Sequence, residues 1–279
     1  MGEPTPIGVG GPSASVARLP EDLRALDRAY AIGHHGRWSA ARRAEIVDGY
    51  LRDLFGASRP PEGAALVALG GYGRGMLSPG SDVDLLILHD GTSAPAVEGL
   101  SERLLYPLWD VGLRVGHAVR TPDECVDASA RLDVATAMLD GRLLAGDGSV
   151  WVEARARVLE PVRTDPRGFA DRLVDDRGAR RERYGSVSSL LEPDVKEGTG
   201  GLRDVQNLRC LEVAIGSTLE EAWTLRGAER HAVDDAEEVL VRVRSALHLE
   251  GGRGSNRLVL EQQAPIAAGM GFVDERGLP

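Results

Sequence analysis

The sequence predicts an α/β domain approached by N-terminal helices and followed by an α-helical region. Three observations carry that reading. Two short apolar runs, AALVAL (64–69) and VDLLIL (83–88), are bounded by glycine clusters, as buried strands are. A helical pattern, AVEGLSERLLYPLWDVG, separates them from a third strand-like run, LRVGHAVR. From about residue 148 onward the strand signal fades and helical periodicity takes over.

Residues 1–19, MGEPTPIGVGGPSASVARL, are rich in Gly, Pro and Ser and predict a disordered lead-in. Residues 20–56 carry the N-terminal helices. PEDLRALDRAYAIG is the shorter; WSAARRAEIVDGYLRDLFGA is the longer, with Ile46, Tyr50 and Leu54 spaced four apart on one face. Ser39 is its predicted cap and Gly56 its predicted stop. Residues 57–147 are the predicted α/β domain. The helix after the second strand places Leu100, Leu104 and Leu108 at four-residue spacing. TPDECVDASARL opens another, with Thr121 as cap and Pro122 at the first position. LDVATAMLDGRLLAG is expected to continue helical and to stop at Gly146.

Residues 148–279 are expected to be helical throughout. SVWVEARARVLEPV, DPRGFADRLVDDRGARRERYG, GLRDVQNLRCLEVAIG and GAERHAVDDAEEVLVRVRSALHLEGG all show the pattern. In the last, Val233, Ala236, Val239, Val243 and Leu247 form the predicted buried stripe, ended by Gly251. There is no internal repeat, and the final GFVDERGLP reads as a connection without a helix of its own.

With 279 residues, 42% of them hydrophobic, the chain can build one large domain or two modest ones. A net charge of −10 argues against a general binder of nucleic-acid backbones, so no nucleic acid is expected as a partner. A small nucleotide site is not excluded, because local charge governs it. Cys125 and Cys210 lie far apart with no C-x-x-C pattern, which speaks against a disulfide framework or a zinc site. No run of 18 apolar residues and no secretory leader pattern is present, so a cytoplasmic protein with no membrane partner is expected. Of 33 basic residues all but Lys196 are arginine, a bias that base composition explains.

The chemistry concentrates in ALVALGGYGRGMLSPGSDVDLLIL (65–88). Side chains two apart on a strand share a face, so Asp82 and Asp84 point the same way at the mouth of VDLLIL. Two converging carboxylates repel unless a cation joins them. Mg2+, which takes one or two carboxylates and completes its shell with phosphate oxygens, suits the pair. Gly70 and Gly71, directly after the first strand, let backbone amides approach an anion at the start of a short helix, and Arg74 lies within reach of a triphosphate. A glycine pair after one strand, an interval of about ten residues, then D-x-D heading the next strand is far more specific than a turn beside exposed acids. No Gly-Lys-Ser/Thr follows, so this is not a Walker loop, and GGYGRG lacks the register of a dinucleotide fingerprint.

A second motif, LEPDVKEGTGGLRDVQNL (191–208), sits between two helices. Its plainer reading is a capped interhelical turn, with Asp204 in the first turn of the helix that follows. Its functional reading adds Lys196 and Arg203 as a phosphate grip that folds over a nucleotide, with Glu197 either tying the loop down or reaching a metal-bound water.

GGYGRGMLSPGSDVDLLIL resembles the active-site motif of the polymerase-beta-like nucleotidyltransferase superfamily. The second motif, together with LWDVGLRVGHAVRTPDEC and ATAMLDGRLLAG, resembles the N-terminal region of the protein-PII uridylyltransferase/uridylyl-removing family over about residues 60–279. The resemblance implies an α/β (α+β) nucleotidyltransferase fold with a small mixed sheet over 57–147, and a helical domain over 148–279 that completes the nucleotide site. It implies Asp82 and Asp84 as catalytic Mg2+ ligands, and Gly70, Gly71, Arg74, Ser81, Lys196 and Arg203 as nucleotide-binding residues. UTP or ATP would be the donor and a tyrosine of the PII signalling protein the acceptor, with pyrophosphate released. Another acceptor, or a non-catalytic nucleotide-binding fragment, is the alternative.

Two departures stand out. Met76 replaces the glutamate common in the family, at a position peripheral to the metal. The superfamily also expects a third carboxylate on a neighbouring strand, where LRVGHAVR offers His117. His117 is either a base for the tyrosine proton or a hydrogen-bonded strand histidine. Asp133 and Asp140 read as caps and solvent-facing acids, His34-His35 as a solvated loop, His89-Asp90 as a turn, and RGARRERYG as a solvated face. Trp109, Trp151 and Trp223 read as packing residues. The family's HD-type phosphohydrolase and two sensor domains do not fit within these residues, so transfer without nucleotide removal is expected.

Overall fold

The structure is a computed structural model that describes residues 16–29, 33–91, 94–222, 226–251 and 254–273. Helices α1 (Leu19–Arg28) and α2 (Arg37–Ala57) lead into β1 (Ala64–Ala68). A one-turn helix α3 (Gly70–Gly73) follows, then β2 (Val83–His89), α4 (Ala94–Asp110) and β3 (Val115–Arg120). Next come α5 (Pro122–Ala128), α6 (Leu132–Leu139), β4 (Arg142–Gly146), α7 (Gly148–Thr164) and α8 (Pro166–Tyr184). Helices α9 (Leu202–Ile215), α10 (Gly227–Gly251) and α11 (Leu260–Gly269) are the last elements among the described residues.

The four strands form one sheet in the order β3-β2-β1-β4. β1 runs antiparallel to β2 and β4, while β2 and β3 run parallel, with α4 as the crossover that parallel neighbours need. The sheet is therefore small and mixed, as expected. Its central strands are buried on both faces: Leu66, Leu86, Ile87 and Leu88 are fully enclosed, each contributing about 1.5–3 kcal/mol of burial. One face packs against α2 and α4 through Leu51, Leu54, Leu100, Leu104 and Leu108. The other packs against α7 through Val150, Trp151, Ala154 and Val158.

Several expectations are corrected. Residues 142–146 leave the helix after Leu139 and form β4, because Leu66 and Val67 of β1 offer a ladder that a short apolar run accepts. Helix α7 packs on the sheet, so the α/β core runs past residue 148. Val16 and Leu19 are buried in that core, so the predicted lead-in is ordered at its end; residues 1–15 lie outside the described residues. Gly36 caps α2, Ser39 sits in its first turn with its hydroxyl on the Gly36 carbonyl, and the helix runs past Gly56 to Ala57. His35 is buried rather than solvated. Helix α11 went unread in the sequence. Thr121 does cap α5, in a reciprocal capping box with Glu124, behind Pro122. Trp151 is buried as a packing residue and Trp109 is partly exposed, while Trp223 lies outside the described residues.

Candidate active site

β1 ends where the chemistry begins. The Leu69 amide donates to the Asp84 carbonyl (2.9 Å), so the glycine turn starts beside the second aspartate. Gly70 adopts φ +55°, a left-handed conformation that favours glycine, and its Cα side faces the Asp84 carboxylate. The turn is braced from below: Tyr72 donates to Asp48 of α2 (2.7 Å), and Asp48 also holds Arg142 of β4 (2.6 Å).

Asp82 and Asp84 flank Val83 and both line one cleft of about 350 Å³. Gly70, Gly71, Arg74, Ser81, Lys196 and Arg203 line the same cleft. Two motifs more than a hundred residues apart therefore meet at one place. Burial at the strand mouth, with the Asp82 charge next in weight, pushes the Asp84 carboxyl above the ordinary carboxylate range, and Lys196 works against that rise. Asp82 pairs with Arg114 (2.9 Å). The Ser81 hydroxyl is buried without a partner among the described residues.

The second motif is a folded turn. Asp194 accepts from the amides of Lys196 (2.9 Å) and Glu197 (2.7 Å). The Val195 amide donates to the Asn256 carbonyl, and Leu258 to Pro193, pinning the loop to the segment after α10. Asp204 accepts from the Gly200 amide (2.8 Å) and from Arg177 and Arg180 of α8. RGARRERYG is thus partly structural: Arg180 is buried and also holds the Glu197 carbonyl. Glu197 ties the loop down through Arg203 (2.9 Å) and lies 3.6 Å from Lys196. Burial first, then the charges of Arg244 and Arg203, lowers the Lys196 pKa. Three cations crowding one another at the wall of a cleft make a site for an anion.

His117 is not brought to the aspartates. It pairs with Leu85, whereas Asp84 pairs with Gly116, and alternation sends the two side chains to opposite faces. His117 is exposed and packs edge-on against Trp109, with ring centroids 5.8 Å apart. The position that faces Asp84 is Gly116, whose missing Cβ leaves room for the carboxylate. Asp140, expected to face solvent, is buried and ion-paired with Arg74; burial pushes its carboxyl up against the pull of Arg74 and Gln206. Asp133 lines the cleft mouth and pairs with Arg131 (2.6 Å). His89 accepts from the Gly91 amide as a turn residue.

Sequence reasoning missed the contribution of α10. The predicted stripe is rotated: Val239 is exposed, while Glu237, Leu240, Val241, Ser245, Ala246, Leu247 and His248 are buried. Glu237, Val241 and Arg244 line the cleft, joined by Asn256 beyond the helix. The Gly80 amide donates to His248 Nδ1 (3.0 Å), and Arg244 donates to Ser78 Oγ (3.3 Å) and Asn256 Oδ1 (2.8 Å). The legible signal is Glu237, Arg244 and His248 at spacings of seven and four, a polar face hidden in a helix with apolar neighbours.

Asp82 and Asp84 are the candidate metal ligands. Among the described residues no group of three or more His, Cys, Asp and Glu side chains converges as a metal site. Two hard carboxylates with a raised pKa on one of them, beside an unpartnered Ser81 hydroxyl, fit an ion whose shell is completed by substrate oxygens.

Comparison with known proteins agrees with this geometry. Residues 50–131 match the nucleotidyltransferase domain family, and residues 168–278 match the GlnD PII-uridylyltransferase family. Fold, site and match define the class: the chain contains a nucleotidyltransferase domain. Similar curated proteins are bifunctional uridylyltransferase/uridylyl-removing enzymes. That of Streptomyces coelicolor is 43% identical over 237 residues, 84% of this chain and 27% of the relative. Those of Xanthomonas oryzae and Erythrobacter litoralis are each 38% identical, over 84% and 91% of this chain and 28% and 29% of the relatives. The chain is similar to these uridylyltransferase/uridylyl-removing relatives over 84–91% of its own residues, and it spans little more than a quarter of their length. No helix among the described residues is long and apolar enough to cross a membrane.

Proposed function

We propose that the chain moves UMP or AMP from the nucleoside triphosphate to a tyrosine of the PII protein and releases pyrophosphate. The observation that carries this is the meeting of the aspartate pair with both glycine-rich motifs in one cleft. The tyrosine oxygen forms a bond to the α-phosphorus as the α–β bridging bond breaks, so stabilisation must fall on phosphate oxygens and on the leaving pyrophosphate. Asp82 and Asp84 would hold Mg2+, which when bound neutralises charge on those oxygens. Lys196 and Arg203 line the same cleft and would meet the phosphates, and Ser81 offers a hydroxyl that has no partner among the described residues. The Asp194 turn fixes Lys196 before the nucleotide arrives, which lowers the ordering cost of binding.

Incubating the chain with α-labelled UTP or ATP, Mg2+ and purified PII tests the proposal. Label on a PII tyrosine, with pyrophosphate formed in equal amount, is expected. Nucleotide binding without transfer, or label on an acceptor other than PII, would refute it.

A further inference from the structure

Arg244 enters the cleft from α10. The cleft's other cations each have a carboxylate: Arg74 has Asp140, Arg114 has Asp82, and Lys196 and Arg203 share Glu197. Arg244 has none within 4.0 Å among the described residues. Its contacts are neutral, Nε to Asn256 Oδ1 and Nη1 to Ser78 Oγ, which use two of the five N–H donors of a guanidinium. Burial, followed by the charge of Arg74, pulls its pKa down to about 10. Asp194, Glu197 and Asp82 pull the other way from beyond contact distance, yet burying a cation with no carboxylate in contact is costly, and a bound anion offsets that cost.

We infer that Arg244 is a triphosphate-binding residue, reaching the β- and γ-phosphates of the nucleotide through its free N–H groups. The inference rests on the nucleotide-site reading and adds a residue from outside both motifs. The chemistry fits: a planar fork grips phosphate oxygens in pairs, and Ser78 and Asn256 aim it before the ligand arrives. The same tethers couple it to the loop that carries Asp82, since Ser78 opens SPGSD.

The test is nucleotide affinity by titration calorimetry on the full 279-residue chain, with Mg2+ present, for wild type, Arg244→Gln and Arg244→Lys. UTP, ATP and inorganic tripolyphosphate are the triphosphate probes, and UMP, measured by competition, is the monophosphate control. Arg244→Gln is expected to weaken each triphosphate probe about 10- to 100-fold while moving UMP less than about threefold, as loss of a charge-assisted phosphate contact does. Arg244→Lys, which keeps the charge and loses the fork, is expected to lose severalfold on the same probes and serves if the glutamine variant does not fold. Equal losses for UTP and UMP, or none for either, overturn the inference and leave a structural tether. A wild-type chain that binds none of these probes overturns the nucleotide-site reading itself, which a selective failure of the variants does not.

Discussion

Gly116→Ala separates the site from the fold. Gly116 faces Asp84 across the parallel pair β2–β3. A Cβ there would lie well under 3.0 Å from Asp84 Oδ1, closer than real Cβ atoms come, with Asp84 Cγ at 3.5 Å. Relief requires the carboxylate to swing by roughly 1 Å, and a displacement of that size at a reacting centre costs about 100-fold in rate. The fold should not suffer. Gly116 is not among the glycines with positive φ, so alanine fits the backbone, and loss of unfolded-state freedom contributes about 0.4–1 kcal/mol of stability. Transfer to PII is expected to fall about 100-fold while the thermal midpoint holds or rises slightly. Initial rates with labelled nucleotide and a melting curve on the same sample decide it. Full activity in Gly116→Ala would show that Asp84 does not have to occupy its present position and would refute the reasoning.

Three further outcomes follow from the same geometry. In the metal-free protein Asp84 is held above its ordinary pKa, so the folded state keeps its proton to higher pH than the unfolded state does, and ionising it at neutral pH costs stability. Asp84→Asn is therefore expected to raise the thermal midpoint at pH 7 while abolishing transfer; a lowered midpoint contradicts the electrostatic account. His248 is buried and neutral, its pKa pulled down to about 3 by burial and then by Arg244, so the unfolded chain takes up a proton below about pH 6.5 that the folded chain refuses. Stability should fall as pH drops from about 6.5, with a slope approaching one proton, and His248→Asn should flatten that slope in denaturant titrations. His117→Ala should keep transfer within about threefold, because His117 lies on the face opposite Asp84; a loss of about 100-fold or more, the usual cost of removing a general base, would place it in catalysis.

The legible parts of the fold were those with local causes. Strands β1 and β2 are short apolar runs with glycine at their ends, and Thr121 and Pro122 announce α5 within four residues. The aspartate pair and the glycine turn were legible as a candidate site because their spacing at the ends of two adjacent strands brings them to one cleft. What stayed hidden depends on partners distant in sequence. β4 becomes a strand only against β1, and its own residues suit a helix equally well. His117 was a fair candidate by type, but one position of strand register decides which face it occupies. Asp140 turns inward because Arg74 meets it there. On α10 an apolar stripe and a polar stripe run side by side, and only the cleft shows that the polar one faces inward through Arg244.

In the proposed function the Asp82–Asp84 pair and the second glycine-rich motif form one transfer site. Its most direct measurement is incorporation of labelled UMP or AMP into PII by wild type, by the Asp82→Asn/Asp84→Asn double variant and by Lys196→Ala. Stoichiometric label is expected with wild type, none with the double variant although it stays folded, and a loss of about 10-fold or more with Lys196→Ala. Undiminished labelling by the folded double variant would contradict the proposed function.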